Sequence, residues 1–318
     1  MSNSTISGPA IIPAGPEAVT SGVGRFPRLR FFFAFLRLRP SFAVGYAIVT
    51  TVVAIALLAP WLAPFGPMHA DPSVYLLPPG GSHVLGTDGT GMDIFSRVLF
   101  APRVDLAIAI VGTLLSATIG GAIGALVGYY EGQRAWRRAL STVVMRSADV
   151  LQAFPVFVFA IALVAVFGQS VKSIILAIAF VNAPIYLRLM RVQVLSISKL
   201  RYVEAAYVAG ASDVAILRRH VIPNAIAPLV AQLSVNIGWS VLLTAGLSFV
   251  GAGVVAPTPE WGSMIAMGFQ NIVTGQWWPS VFPGIALSIT VLGFALVGAS
   301  IEILADPARR RVLSGSLS

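Results

Sequence analysis

Cysteine is absent from the 318 residues, which removes disulfides, thiolate metal sites and cysteine nucleophiles. Charge is nearly as scarce. Charged residues make up 10% of the chain against 57% hydrophobic, whereas a soluble domain carries about 25% charged residues. So few charges cannot cover a water-facing surface, and a bilayer is the solvent this composition suits. Lysine occurs only as Lys172 and Lys199, after Val171 and Ser198, so the Gly-Lys-Ser/Thr of an ATP-binding P-loop is missing. His69, His83 and His220 lie too far apart in sequence to suggest a metal site. No His/Asp/Glu cluster or nucleophile–base constellation supports an embedded enzyme, so neither a catalytic residue nor a metal ligand is expected.

What is present is a series of long apolar runs. Six are of spanning length: Phe42–Pro64, Val104–Tyr130, Asp149–Gly168, Lys172–Met190, Val221–Leu247 and Ser280–Leu304. The basic residues between them are strongly one-sided. Of 21 Lys and Arg, only Arg97, Arg103 and Lys172 fall on one side. Arg25, Arg28, Arg30, Arg37, Arg39, Arg134, Arg137, Arg138, Arg146, Arg188, Arg191, Lys199, Arg201, Arg218, Arg219, Arg309, Arg310 and Arg311 fall on the other. The positive-inside rule then places both termini in the cytoplasm. In a soluble protein the net charge of +9 would suggest nucleic acid; here the arginines orient spans, and no nucleic-acid partner is expected.

The expected organisation is all-α and polytopic. Residues 1–40 form a basic cytoplasmic segment, 41–305 the membrane domain with an external loop at 65–103, and 306–318 a cytoplasmic tail. Residues 1–24 have a disorder-prone composition, and the Arg/Phe/Leu stretch after them suits the inner membrane surface. The first span has too long a leader and too long an apolar run for a cleavable signal peptide. In the external loop, Asp93 and Arg97 stand four apart and suggest a helical ion pair.

Two rows of spaced residues distinguish the spans. Gly112, Ser116, Gly120, Gly124 and Gly128 recur every four residues in the second span. Small residues on one face let another backbone approach closely. Gln232, Asn236, Ser240, Thr244 and Ser248 recur likewise in the fifth, as a slanted polar stripe. Polar groups in lipid must face protein or water, so the stripe either lines a translocation path or supplies interhelical hydrogen bonds. Asp105, Asp149 and Glu302 sit near span ends, leaving no acidic residue deep in a span. That argues against a proton- or sodium-coupled carrier and against a stand-alone channel or carrier generally.

Between the fourth and fifth spans lies a polar insert, RYVEAAYVAGASDVAILRRHVIPNAIA, from Arg201 to Ala227. Lys199–Ala209 suits a short helix, Gly210 stops it through a left-handed C′ conformation, and Ser212 caps a second helix that has Asp213 in its first turn. Pro223 and Pro228 restrict continuation into the next span. The expectation is a compact knob on the cytoplasmic face.

The segment EAAYVAG with the later VIPN resembles the EAA loop of binding-protein-dependent ABC importer permeases. Glu204, Ala205, Ala206, Gly210 and Pro223 carry the match, with Ile222 where leucine is common. HVLGTDGTGMDIFSR, MRSADVLQAFP, YLRLMRVQVLS, WPSVFPGIALSITVLGFALVG and the DPARR tail are similar to the C-type subunit of the dipeptide/oligopeptide/nickel permeases. The likeness covers roughly residues 41–311. Met92, Ala101 and Pro102 depart from it in the external loop. The resemblance implies a six-span type I importer permease in the bacterial inner membrane. It implies a homologous second permease, two ABC ATPases that bind ATP and Mg, and an extracytoplasmic solute-binding protein. The chain itself would hold no cofactor. Glu204, Ala205, Ala206, Gly210 and Asp213 would form the coupling helix seated on one ATPase. The solute would be a peptide, or alternatively nickel or another small solute.

Overall fold

The computed structural model describes residues 28–131 and 135–305. Expectations placed on residues 1–27, 132–134 and 306–318, including Arg134, Arg309, Arg310 and Arg311, lie outside the described residues. The elements are helical throughout. In chain order they are α1 (Arg28–Leu38), α2 (Pro40–Leu62), α3 (Ile94–Tyr130), α4 (Ala135–Ala153), α5 (Val156–Phe167) and α6 (Val171–Ile197). Then follow α7 (Arg201–Val208), α8 (Asp213–Ile216), α9 (Ile222–Ala225), α10 (Ala227–Phe249), α11 (Trp261–Phe269) and α12 (Trp278–Ala305). Among the described residues there is no strand beyond isolated bridges.

Among the described residues, five continuous helices are long and apolar enough to cross a membrane: Pro40–Leu62, Ile94–Tyr130, Val171–Ile197, Ala227–Phe249 and Trp278–Leu304. The third expected span, Asp149–Gly168, is broken. Its residues belong to α4 and α5, which meet at 95°. Phe154 and Pro155 form the corner. Proline has no N–H for the ladder and pushes the residue before it out of the helical region, so the run Asp149–Gly168 is not one helix. The fifth span starts at Ala227 rather than Val221 because Pro223 and Pro228 divide the approach into a π turn over Leu217–Val221, the short α9 and a bend at Ile226. The second span starts ten residues before its expected Val104, at Ile94. The Asp93 carboxylate caps it there, accepting from Ser96 N at 2.7 Å.

That cap also decides the expected Asp93–Arg97 pair, which is not formed. Asp93 instead meets His83 Nδ1 at 2.9 Å. Arg97, almost fully buried, has its Nε 3.6 Å from Asp88 and donates to the carbonyls of Pro67 and Pro257. Both oxygens of the Asp93 carboxylate are thus engaged, Oδ2 by Ser96 N and Oδ1 by His83, and neither is left for Arg97. The loop before α3 is thereby tied to the loop after α10. Asp105, expected near a span end, lies buried inside α3, where its Oδ2 accepts from Trp261 N beside Glu260. Asp105 thus lies inside a helix that begins well before the expected start of the span.

Three apolar clusters hold the bundle together. One joins α2, α3, α10, α11 and α12 through Val52, Leu106, Val241, Trp261 and Phe294. A second joins α3, α5, α6 and α10 through Ile108, Val164, Ile178 and Leu243. The third fixes the α7–α9 region to α6 through Met190, Val194, Val203, Ile216 and Val221. Between membrane helices such contacts hold by van der Waals packing rather than by exclusion of water. α1 lies against α2 by stacking Phe35 on Phe42 at 5.4 Å.

Candidate functional site

The insert folds as an ordered knob at one end of the bundle. α7 ends at Val208 with Ala209 as its C-cap, and Gly210 stands at φ +79°. Ala211 N donates to Ala206 O at 3.1 Å and Gly210 N to Tyr207 O at 3.0 Å, the paired bonds of a Schellman stop. Glycine suits this position because a side chain there would be strained, although a Cβ would meet nothing within 4 Å. Ser212 then caps α8 by accepting from Ala215 N at 3.4 Å. Val203, Ile216 and Leu217 anchor the knob from beneath.

Its outer surface carries exposed apolar side chains. Tyr207 is 68% exposed, Val208 80% and Val214 68%. Glu204, Ala205 and Gly210 are exposed beside them, and Ala206 is half-buried. Two shallow hollows flank this patch, both bordered by Glu204. Asp213 is turned inward instead. Half-buried, it accepts a hydrogen bond from Tyr129 Oη at 3.2 Å, which links the knob to the end of α3. Next to that link, Arg191 of α6 grips Glu131 with two bonds, at 2.8 and 2.7 Å. Arg188 meets Asp149 of α4 at 2.6 Å.

The small-residue row of α3 lies along α6. A Cβ at Gly120 would meet the Ala183 carbonyl, and one at Gly124 the Leu187 carbonyl. At Gly128 it would come within 2.8 Å of the Arg191 carbonyl, and at Gly112 within 2.7 Å of Ile178. Ser116 turns its hydroxyl back onto the Gly112 and Thr113 carbonyls.

The polar stripe of α10 is largely closed inside the chain. Ser240 and Thr244 have no exposed surface. Ser240 Oγ lies 3.1 Å from Thr113 Oγ1 of α3 and accepts from Asn182 Nδ2 of α6 at 3.3 Å. Thr244 donates to the Ser240 carbonyl, and Ser248 accepts from Val254 N. Gln232 is half-buried and donates to Asn236 Oδ1 at 3.0 Å. Asn182 Oδ1 is buried without a hydrogen-bond partner, and Tyr186 faces the Asn236 amide.

Sequence reasoning missed Asn182 and Tyr129. A single asparagine in an apolar run forms no periodic pattern, but its cost in lipid was a signal available from the sequence. Tyr129 reads as an interfacial aromatic until the fold brings Asp213 to it. Among the described residues, no group of three or more His, Cys, Asp or Glu could hold a metal ion.

Long apolar helices, one run of them broken at a corner, have the length and composition of a multi-pass membrane protein. A family model described as "Binding-protein-dependent transport system inner membrane component" matches residues 94–312. The chain belongs to that family and is a multi-pass component of the bacterial inner membrane. Among curated relatives, the glutathione transport system permease protein GsiD of Pectobacterium atrosepticum is 37% identical over 284 residues, covering 89% of this chain and 92% of its own. The dipeptide transport system permease protein DppC of Alkalihalophilus pseudofirmus is 34% identical over 264 residues, covering 83% and 84%. A solved structure of the MetNI methionine ABC transporter aligns with a TM-score of 0.54 at 19% identity, covering 66% of this chain and 96% of that one. That likeness concerns the fold alone.

Proposed function

We propose that this chain is the membrane-spanning permease subunit of an ATP-driven importer that carries peptides delivered by an extracytoplasmic binding protein. The observation that carries the reading is the knob: capped at Gly210 and Ser212, anchored from beneath, and exposing Tyr207, Val208 and Val214 on its outer face. Such a patch on a polar end of the bundle needs a protein partner. The partner is one of two ABC ATPases, which bind ATP and Mg and supply the energy. Glu204, Ala205, Ala206 and Gly210 form the docking surface, while Asp213 acts from within through Tyr129. The peptide substrate and the C-type assignment follow the names of the relatives. A homologous second permease completes the pathway.

In this reading both termini and the knob are cytoplasmic, α4 and α5 together make the sixth crossing, and the domain limits remain 1–40, 41–305 and 306–318. The stripe belongs to the pathway wall. Gln232 and Asn236 stand nearest the path, while Ser240 and Thr244 brace the wall from behind.

The test is Gly210→Val in the reconstituted importer. A β-branched residue at φ +79° costs about 1–3 kcal/mol of local strain and re-aims α7 against α8. Peptide uptake falls sharply while ATP hydrolysis and subunit assembly persist. Uptake at the parental rate sinks the docking assignment.

A further inference from the structure

The chain contains a cavity that the stripe and the knob do not explain. It measures about 330 Å³ and lies between the α4–α5 corner, α6 and α10. Phe154, Phe159, Phe180 and Trp239 supply aromatic walls, and Gln152 and Asn182 supply amides.

Its depth follows from counting residues. α5 and α6 form a hairpin turning at Gly168–Ser170, and Gln169 Nε2 donates to Gly251 O at 2.6 Å, which puts the end of α10 at the same level. At 1.5 Å per residue, the Phe154–Pro155 corner and Asn182 lie about 18 Å from that end, and Trp239 about 15 Å. A hydrocarbon core is about 30 Å thick, so all three meet near its middle.

Two observations then decide what kind of space this is. First, residues 152–158 around the corner are exposed, so non-helical backbone is uncovered at membrane depth. Lipid does not tolerate that; such backbone lines a water-filled cavity or is covered by protein. Second, Asn182 is fully buried with its Nδ2 spent on Ser240 and its Oδ1 unpaired. An unpaired acceptor in a dry setting costs about 1–3 kcal/mol. A hydrocarbon chain or an apolar helix leaves it unpaired. A peptide N–H satisfies it, and the aromatic walls accommodate an apolar side chain. Broken helices meeting near the midplane are a common way for membrane transporters to build such sites.

We infer that this cavity is a transit site for the peptide, in which Trp239 and Phe180 hold an apolar side chain while Asn182 and Gln152 take up main-chain amides. The inference rests on the reading of the chain as a peptide permease. Ser240 then has a defined role, orienting the Asn182 amide so that the oxygen, not the nitrogen, is left for the passenger.

Because the chain has no cysteine, it is a ready background for single-cysteine labelling in the complete importer, reconstituted in lipid with its ATPases and binding protein. Gln152→Cys and Ile185→Cys border the cavity; Leu57→Cys is an exposed position on the unbroken span α2. A charged methanethiosulfonate reacts with thiolate, which forms only where water reaches. The expected result is labelling at 152 and 185 at least about tenfold faster than at 57, because hydrocarbon excludes the charged reagent. Alanyl-phenylalanine should slow labelling at 185 severalfold. Trp239→Ala should raise the KM for that dipeptide about tenfold, as for loss of an aromatic anchor, with maximal ATP hydrolysis retained. Labelling at 185 as slow as at 57 overturns the inference in favour of lipid. A crosslink from 185 to the second permease overturns it in favour of a subunit contact. Fast labelling that the dipeptide leaves unchanged, with an unaltered KM in Trp239→Ala, reduces the cavity to a water pocket. Absence of ATP-dependent dipeptide uptake in the parent complex counts instead against the peptide-importer reading, whatever the labelling contrast shows.

Discussion

α6 has two sides that differ in almost every physical respect. Toward α3 there is no room for a methyl group: at Gly120 and Gly124 the two backbones touch. Toward α5 and α10 there is a cavity of about 330 Å³ beside a helix corner. The first side is a dry seam of carbonyls against glycines, closed at one end by the Arg191–Glu131 pair. The second is aromatic, polar in places and incompletely satisfied. The contrast teaches that α6 divides the bundle into a part built to hold its shape and a part built to admit something.

Substitutions on either side break or sharpen that contrast. The largest effect belongs to the seam. Gly124→Leu drives a side chain into the Leu187 carbonyl, backbone that cannot step aside. Overpacking of this kind costs about 3 kcal/mol or more, and the protein is expected to be lost from the membrane fraction as a folded, monodisperse species. A well-folded Gly124→Leu would show that the seam yields.

The next effect is at the seam's end. Tyr129→Phe removes only the bond to Asp213, worth about 1 kcal/mol. Folding and the ATPase rate should hold while peptide taken up per ATP hydrolysed falls severalfold. An unchanged ratio would confine the link to holding the knob in place.

The smallest effect is between the two sides. Ser240→Ala deprives Asn182 Nδ2 and Thr113 of a partner, a loss of about 0.6 kcal/mol on the scale of hydrogen bonds within membrane proteins. It should appear as a small shift in the unfolding midpoint. A transport defect at full stability would show that orienting the Asn182 amide, rather than bracing the bundle, is the main work of Ser240.

The two sides were not equally legible in the sequence. The glycine row and the knob could be read because regular spacing and cap chemistry are local: Gly112–Gly128 share a face by helix geometry, and Gly210 and Ser212 act on neighbours a few residues away. The cavity could not. Pro155 marked a break, yet the apolar composition on both sides of it invited one continuous span. Asn182 is an isolated polar residue whose meaning depends on α10 being beside it. Asp93 and Arg97 were set four apart on a helix, but the cap at the start of α3 took the carboxylate first. The stripe on α10 was visible as a stripe, but only the fold revealed that Ser240 faces α3 and α6.

The glycine seam has a mechanical consequence. Two rods joined along their length resist bending far more than either does alone, because neither can slide past the other. α3, about 55 Å long by its residue count, and α6 are such a laminated beam. The Tyr129–Asp213 bond fastens the knob to its tip. A force on the knob is therefore not dissipated in the first turn it meets but is carried along the stiff pair, past the corner of α4 and α5.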